Sequence, residues 1–157
     1  MRITDIGSVE LDGIDKIILN ALMEDAKTPV AKIAKDVGIS STAIHQRIKK
    51  LETSNLIDST KTYINPKKLG YNTVSFIGIY LDKSSNYKTV IGAMEKIPEV
   101  IESYYTTGNY SIFIKVYCKD NEHLMQILNH KIQEIGGIVR TETFISLEQS
   151  IQRQIKL

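Results

Sequence analysis

One cysteine, Cys118, stands in a chain of 157 residues. A lone thiol excludes an internal disulfide framework and any zinc site built from several thiolates of one chain. Its setting, "SIFIKVYC", reads as a small buried apolar position. No apolar run approaches the length of a membrane span. The opening "MRITDIGSVELDG" has no apolar core of signal-peptide length, so a cytoplasmic location is expected. Charge of one sign is also lacking overall: the net charge is +2, too small to announce a nucleic-acid partner except locally. Apolar residues make up 42% and charged residues 24%, ordinary globular usage that excludes a disordered or fibrous chain.

The most informative absence is local. From Val37 to Leu51, "VGISSTAIHQRIKKL" contains no acid. It follows two helix-like segments. In the first, Leu11, Ile14, Ile17, Ile18, Ala21 and Leu22 recur at helical spacing, with Asp12 placed to cap and Asp15 in the first turn, where the helix dipole favours an anion. In the second, Thr28 is the expected N-cap, Pro29 the first helical residue and Gly38 the C′ position, around a stripe of Val30, Ile33, Ala34 and Val37. Ser40 caps a third helix that buries Ala43, Ile44, Ile48 and Leu51. Two short helices joined by "VGIS" make a helix-turn-helix, braced by the first helix. Leu56–Ile57 and Thr62–Ile64 are expected to pair as a small wing.

The outward face of the third helix then has a physical reason to lack acids. Ser41, Thr42, His45, Gln46 and Lys49 point outward, with Arg47 and Lys50 on the flanks and Ser40 at the cap. Hydroxyls, an amide and an imidazole suit the edges of bases in a major groove, while Lys and Arg neutralise phosphates that would repel a carboxylate. The bland alternative is a solvated amphipathic helix that happens to be cationic.

After "NPKKLGY" the period changes. "TVSFIGIYLD" reads as a strand and "NYKTVIGAMEKIPE" as a helix carrying Val90, Ile91, Met94 and Ile97. "VIESYYTTGNYSIFIKVYC" reads as two strands joined through Gly108–Asn109, a pair suited to a hairpin turn. "NEHLMQILNHKIQEIGG" is a helix stopped by Gly136–Gly137, and "IVRTETFISLEQ" is a last strand. The order β-α-β-β-α-β is the split arrangement of ferredoxin-like domains. Its sheet should carry both helices on one face and stay apolar on the other, which predicts sheet-to-sheet dimerisation. The fold class is therefore α+β, with a winged helix-turn-helix over residues 1–64, a linker over 65–71 and a ferredoxin-like domain over 72–157.

"LDGIDKIILNALMEDAKTPVAKIAKDVGISSTAIHQRIKKLETSNLI" resembles the N-terminal domain of the Lrp/AsnC family of feast/famine regulators. The family pattern LD-x-x-D-x-x-IL, A-x-x-VG-S and R-x-x-x-L-x-x-x-G-I falls on Leu11–Asp12, Asp15, Ile18–Leu19, Ala34, Val37–Gly38, Ser40, Arg47, Leu51 and Ile57. Asn55 stands where many members have glycine. "ESYYTTGNYSIFIKVYC" and "TETFISLEQ" extend the similarity through residue 157 and resemble the asparagine-responsive members.

The resemblance implies a homodimer of face-to-face sheets assembling to an octamer, a double-stranded DNA partner, no cofactor or metal, and an amino-acid effector. It places that effector at Thr106, Thr107, Gly108, Asn109, Tyr110 and Ser111, with Thr141 and Thr143 of the last strand. Many relatives carry acids at the places of Asn109 and Ser111. A polar, uncharged pocket is consistent with a side-chain amide ligand, and L-asparagine is the expected effector. Read without the resemblance, "TTGNYS" is equally a hairpin.

Two other functions compete. Paired ferredoxin-like sheets also make dimeric barrel enzymes, but no catalytic His/Asp/Glu cluster is legible, and Glu102 and Glu142 have no obvious partner. A sequence-tolerant architectural DNA-binding protein is the third reading. His123 and His130 lie about two helical turns apart, wrong for a metal and suited to a solvated face.

Overall fold

The computed structural model describes residues 9–157. The leader-free reading of the N-terminus falls largely on residues 1–8, outside the described residues. The chain divides into two compact units, Met1–Tyr63 with Gln152–Leu157, and Ile64–Ile151.

The first unit holds α1 (Gly13–Glu24), α2 (Val30–Val37) and α3 (Ser41–Thr53). Asp12 caps α1 in a reciprocal box: its carboxylate accepts the Asp15 N–H at 2.8 Å, and the Asp15 carboxylate accepts the Asp12 N–H at 3.3 Å. The start of α2 differs from expectation by one residue. Pro29, not Thr28, occupies the cap position. The Thr28 hydroxyl instead donates back to the Ala21 carbonyl at 3.4 Å, near the end of α1. The proline ring carries no acceptor, so the first amides of α2 receive no side-chain cap. Gly38 ends α2 at φ 75°, where its N–H and that of Ile39 both reach the Ala34 carbonyl. Ser40 then caps α3, its hydroxyl accepting the Ala43 N–H at 3.2 Å. Ile18, Leu19, Ile33, Ala34, Ile44 and Leu51 form the core.

The expected wing is not formed: no strand covers Leu56–Ile57 or Thr62–Ile64. The Leu56 and Ile57 amides both donate to the Leu51 carbonyl at the end of α3, so they are not offered to a ladder. Asn55 turns the chain there at φ 56°. That is a left-handed conformation that glycine or asparagine adopts at little cost, which explains the departure from the family pattern.

In the second unit a short 3-10 turn, Pro66–Leu69, leads into β1 (Thr73–Leu81), α4 (Tyr87–Met94), β2 (Val100–Tyr105), β3 (Ile112–Cys118), α5 (Asn121–Ile127) and β4 (Ile138–Ser146). The strands form one antiparallel sheet in the order β2-β3-β1-β4. Strand alternation sends Ile77, Ile79, Ile112, Ile114, Val116 and Cys118 to one face. There they share a core with Val90 and Met94 of α4 and Leu124 and Ile127 of α5. Both helices therefore cover that face. Cys118 is fully buried, and burial pushes its thiol pKa up to about 11. Beyond α5 the chain widens into a π turn, Leu128–Ile132, that buries Ile132, and Gly137 takes φ 95° before β4.

The opposite face carries Phe76, Phe113 and Phe144, with Phe76 and Phe113 stacked at 5.8 Å. Phe144 is 47% exposed, which leaves this face uncovered within one chain. Among the described residues no helix is long and apolar enough to cross a membrane.

Candidate functional site

The buried side of α3, Ile44 and Leu51, fixes which side of that helix faces out. Ser41, Thr42, His45, Gln46, Lys49 and Lys50 are all exposed, and they form the continuous polar and cationic surface that the sequence implies. Ser40 is exposed too, with its hydroxyl engaged as the cap. Arg47 has a different place from the flanking phosphate contact expected of it. One guanidinium nitrogen, Nη1, lies 2.7 Å from Asp12 Oδ2 and 2.7 Å from Asp15 Oδ1. The Asp15 N–H and then Arg47 hold the Asp12 carboxyl below its usual range, and the two carboxylates raise the Arg47 pKa. This ion pair is legible in the sequence only as two family-pattern acids and one arginine, with no local signal linking them.

The β2–β3 connection is a longer loop than a tight Gly108–Asn109 turn. It runs from Thr106 to Ser111, closed by the Thr106 N–H donating to the Ser111 carbonyl at 3.2 Å and the Thr106 hydroxyl donating to the Tyr110 carbonyl at 2.7 Å. Gly108 sits at φ 105°, a conformation that side chains rarely adopt. Thr107 and Asn109 are exposed, while Thr106, Tyr110 and Ser111 are half-buried.

Thr141 and Thr143 pair with Ile79 and Ile77, which puts both on the helix-covered face. Thr141 lies level with Ile112 across β1, about two strand spacings or ~10 Å away. Its hydroxyl accepts from Gln133 Nε2 at 3.2 Å. Tyr110 departs from this group, because its ring turns to the opposite, uncovered face.

Three polar groups have partners that sequence reasoning missed. Glu142 accepts from the phenols of Tyr110 at 2.8 Å and Tyr80 at 3.1 Å and lies 3.3 Å from Arg140. The Tyr110 and Tyr80 hydrogen bonds lower its pKa. Glu102 accepts from Tyr104 at 2.8 Å and Lys115 at 3.2 Å. Neither glutamate is partnerless, and the partners are phenols and cations in a packed sheet. His123 is no solvated residue either: its Nδ1 accepts the Lys119 N–H at 3.2 Å and its Nε2 lies 3.4 Å from Glu99. Strand register carried the missed signal, since Glu142 stands directly opposite Gly78, where a neighbouring side chain has room to reach it.

Residues 11–52 match the AsnC-type helix-turn-helix domain and residues 74–155 the Lrp/AsnC ligand binding domain. The chain belongs to the Lrp/AsnC family. It is 46% identical over 146 residues to Regulatory protein AsnC of Haemophilus influenzae, a match covering 93% of this chain and 97% of that one. The structure of Escherichia coli AsnC superposes with a TM-score of 0.90 at 42% identity, covering 95% of this chain and all of its own. A feast or famine regulatory protein from M. tuberculosis, complexed with L-methionine, superposes at 0.85 with 26% identity, covering 94% of this chain and 100% of that one. As a member of the Lrp/AsnC family, this chain is a DNA-binding transcriptional regulator that joins a helix-turn-helix to a ligand-binding domain.

Proposed function

We propose that this protein represses or activates transcription in response to L-asparagine. In this reading Ser41, Thr42, His45 and Gln46 meet base edges, and Ser40, Lys49 and Lys50 meet phosphates. Asparagine is held at Thr106–Ser111 with Thr141 and Thr143, and its binding shifts the assembly and thereby operator affinity. The protein works in the cytoplasm as a homodimer closed through the uncovered sheet face and associated further to an octamer.

The observation that carries this reading is the outward surface of α3, where every exposed side chain from Ser41 to Lys50 is neutral-polar or cationic. A zwitterionic ligand needs donors for its carboxylate and acceptors for its ammonium. The loop offers both without a formal charge, through the Gly108 backbone, the Asn109 amide and the threonine hydroxyls, which matches an amide side chain.

The test is fluorescence anisotropy with a duplex selected by the protein from a random pool and with its scrambled counterpart, each with and without L-asparagine. The reading expects tighter binding to the selected duplex and a shift of that affinity by asparagine. Equal affinity for both duplexes leaves a sequence-tolerant DNA-packaging protein. A shift with another amino acid but not with asparagine overturns the ligand and keeps the rest.

A further inference from the structure

Gly78 lies in the middle of β1, paired on one side with Phe113 of β3 and on the other with Glu142 of β4. Having no side chain, it leaves a slot in the uncovered face of the sheet, and the Tyr110 ring fills it. A Cβ built on residue 78 falls 2.6 Å from Tyr110 Cγ, so any larger residue must displace the ring. Around the slot the ring meets Tyr80 edge-on at 5.3 Å, Phe113 at 5.8 Å and Phe144 edge-on at 6.3 Å. At its tip the phenol donates to Glu142 Oε2 at 2.8 Å. That carboxylate is held from other directions by Tyr80 and Arg140, and the Arg140 guanidinium lies 3.9 Å over the Tyr80 ring. The hydrogen bond to Glu142 raises the Tyr110 pKa, as expected for a phenol donating to a carboxylate.

The backbone of the same residue belongs to the Thr106–Ser111 loop. Its carbonyl accepts the Thr106 hydroxyl, and the next amide, Ser111 N–H, donates to the Ile79 carbonyl at 2.9 Å. One residue is thus fixed at its main chain within the loop and at its side chain within the sheet.

We propose that Tyr110 is a positioning residue: seated over Gly78 and bonded to Glu142, it tethers the Thr106–Ser111 loop to the uncovered sheet face and sets the loop geometry. Its ligand half rests on the reading of that loop as the effector site. The tether itself rests only on the contacts of Tyr110 with Gly78, Glu142 and Thr106. Gly78 is part of the device because only glycine leaves room for the ring, and Glu142 is part of it because it holds the phenol. A ligand that moves the loop has to move this ring, and anything packed over the face has to accommodate it.

The full-length protein tests this with Tyr110→Phe, Gly78→Ala and Glu142→Gln, and with Phe76→Leu as a control on the same face. Phe76 stacks on Phe113 and has no bond to the loop. Amide hydrogen exchange at residues 107–111 without ligand is the first measurement, and calorimetry with L-asparagine is the second. Loss of the phenol bond in Tyr110→Phe should speed loop exchange about three- to tenfold, the size of one net hydrogen bond, and Glu142→Gln, whose amide oxygen still accepts but without the charge, should speed it less. Gly78→Ala should speed it further. Phe76→Leu should leave the loop unchanged even where it lowers the melting temperature.

Asparagine affinity should fall in the same order. Loop protection that survives Tyr110→Phe and Glu142→Gln, or that Phe76→Leu erodes equally, overturns the tether. Should Gly78→Ala fail to fold, those two variants still decide it. Wild-type protein that ignores asparagine defeats the effector reading alone, because the exchange measurement still reports on the tether.

Discussion

Arg47 Nη1 lies 2.7 Å from Asp15 Oδ1 in α1, across 32 positions of sequence, and an equal distance from Asp12 Oδ2. Asp12 and Asp15 already cap α1 between themselves, so the arginine fastens the middle of α3 to the N-terminus of α1. Its charge is paired within the protein, and the pair fixes how α3 sits on α1.

Arg47→Ala and Lys49→Ala should therefore fail differently. Arg47→Ala is expected to lower the melting temperature and to leave the slope of log affinity against log salt unchanged, because no phosphate contact is lost. Lys49→Ala should leave the melting temperature alone and flatten that slope by about 0.9, the value for one phosphate on duplex DNA. Anisotropy titrations over a salt series check both, and a flattened slope in Arg47→Ala would return it to the phosphate contacts.

Asp12 gives the stability a pH dependence of known sign. The folded pKa of Asp12 is depressed below its usual 3.8, first by the Asp15 N–H and then by Arg47. A depressed carboxylate contributes stability that is fully present above the usual value and is lost as the pH falls through the folded one. Urea midpoints followed from neutrality to about pH 2 should fall less steeply below pH ~4 for Asp12→Asn than for wild type. Arg47→Met, which keeps the cap bond, should lie between them. Three superimposable profiles would show that Asp12 is not linked to folding.

Periodicity was enough to find the helices of the first unit and the β-α-β-β-α-β succession of the second. Ile18, Ile33 and Ile44, or Ile77 and Ile114, are buried for the reason their spacing gives. The errors arise where a side chain or amide has two local choices. Thr28 had a cap to make and made a bond to α1 instead, and Leu56 and Ile57 had a strand to join but closed the end of α3. The hydrogen-bond partners of Arg47 and Glu142 were not foreseen for another reason. Asp15 and the two tyrosines that they bond lie 32 to 62 positions away, a range that composition and local spacing do not encode and that only the strand register reveals for Glu142.

Gln46 and Lys49 share the exposed side of α3 yet should differ in what they read. An amide can pair with two atoms of one adenine edge, a contact worth roughly 1–3 kcal/mol of discrimination between bases. Gln46→Ala should therefore lose affinity for the selected duplex and little for the scrambled one, narrowing the ratio about fivefold or more. Lys49→Ala should weaken both alike. Equal losses on both duplexes for Gln46→Ala would remove it from the base-reading set.

Gly108 separates the conformation of the Thr106–Ser111 loop from the space around it. Its φ is 105°, and a Cβ there meets nothing within 4 Å, so a substitution suffers from backbone strain and not from collision. Valine is among the least tolerant residues at positive φ, and holding it there costs roughly 1–3 kcal/mol. An exposed loop avoids that cost by relaxing, which leaves the sheet intact and moves the Thr107 and Asn109 main chain. Gly108→Val should therefore keep the wild-type far-ultraviolet circular dichroism and solution mass while losing asparagine binding in calorimetry. Gly108→Asn, which tolerates the left-handed side better, should lose less. Undiminished asparagine binding to Gly108→Val would move the effector site away from this loop.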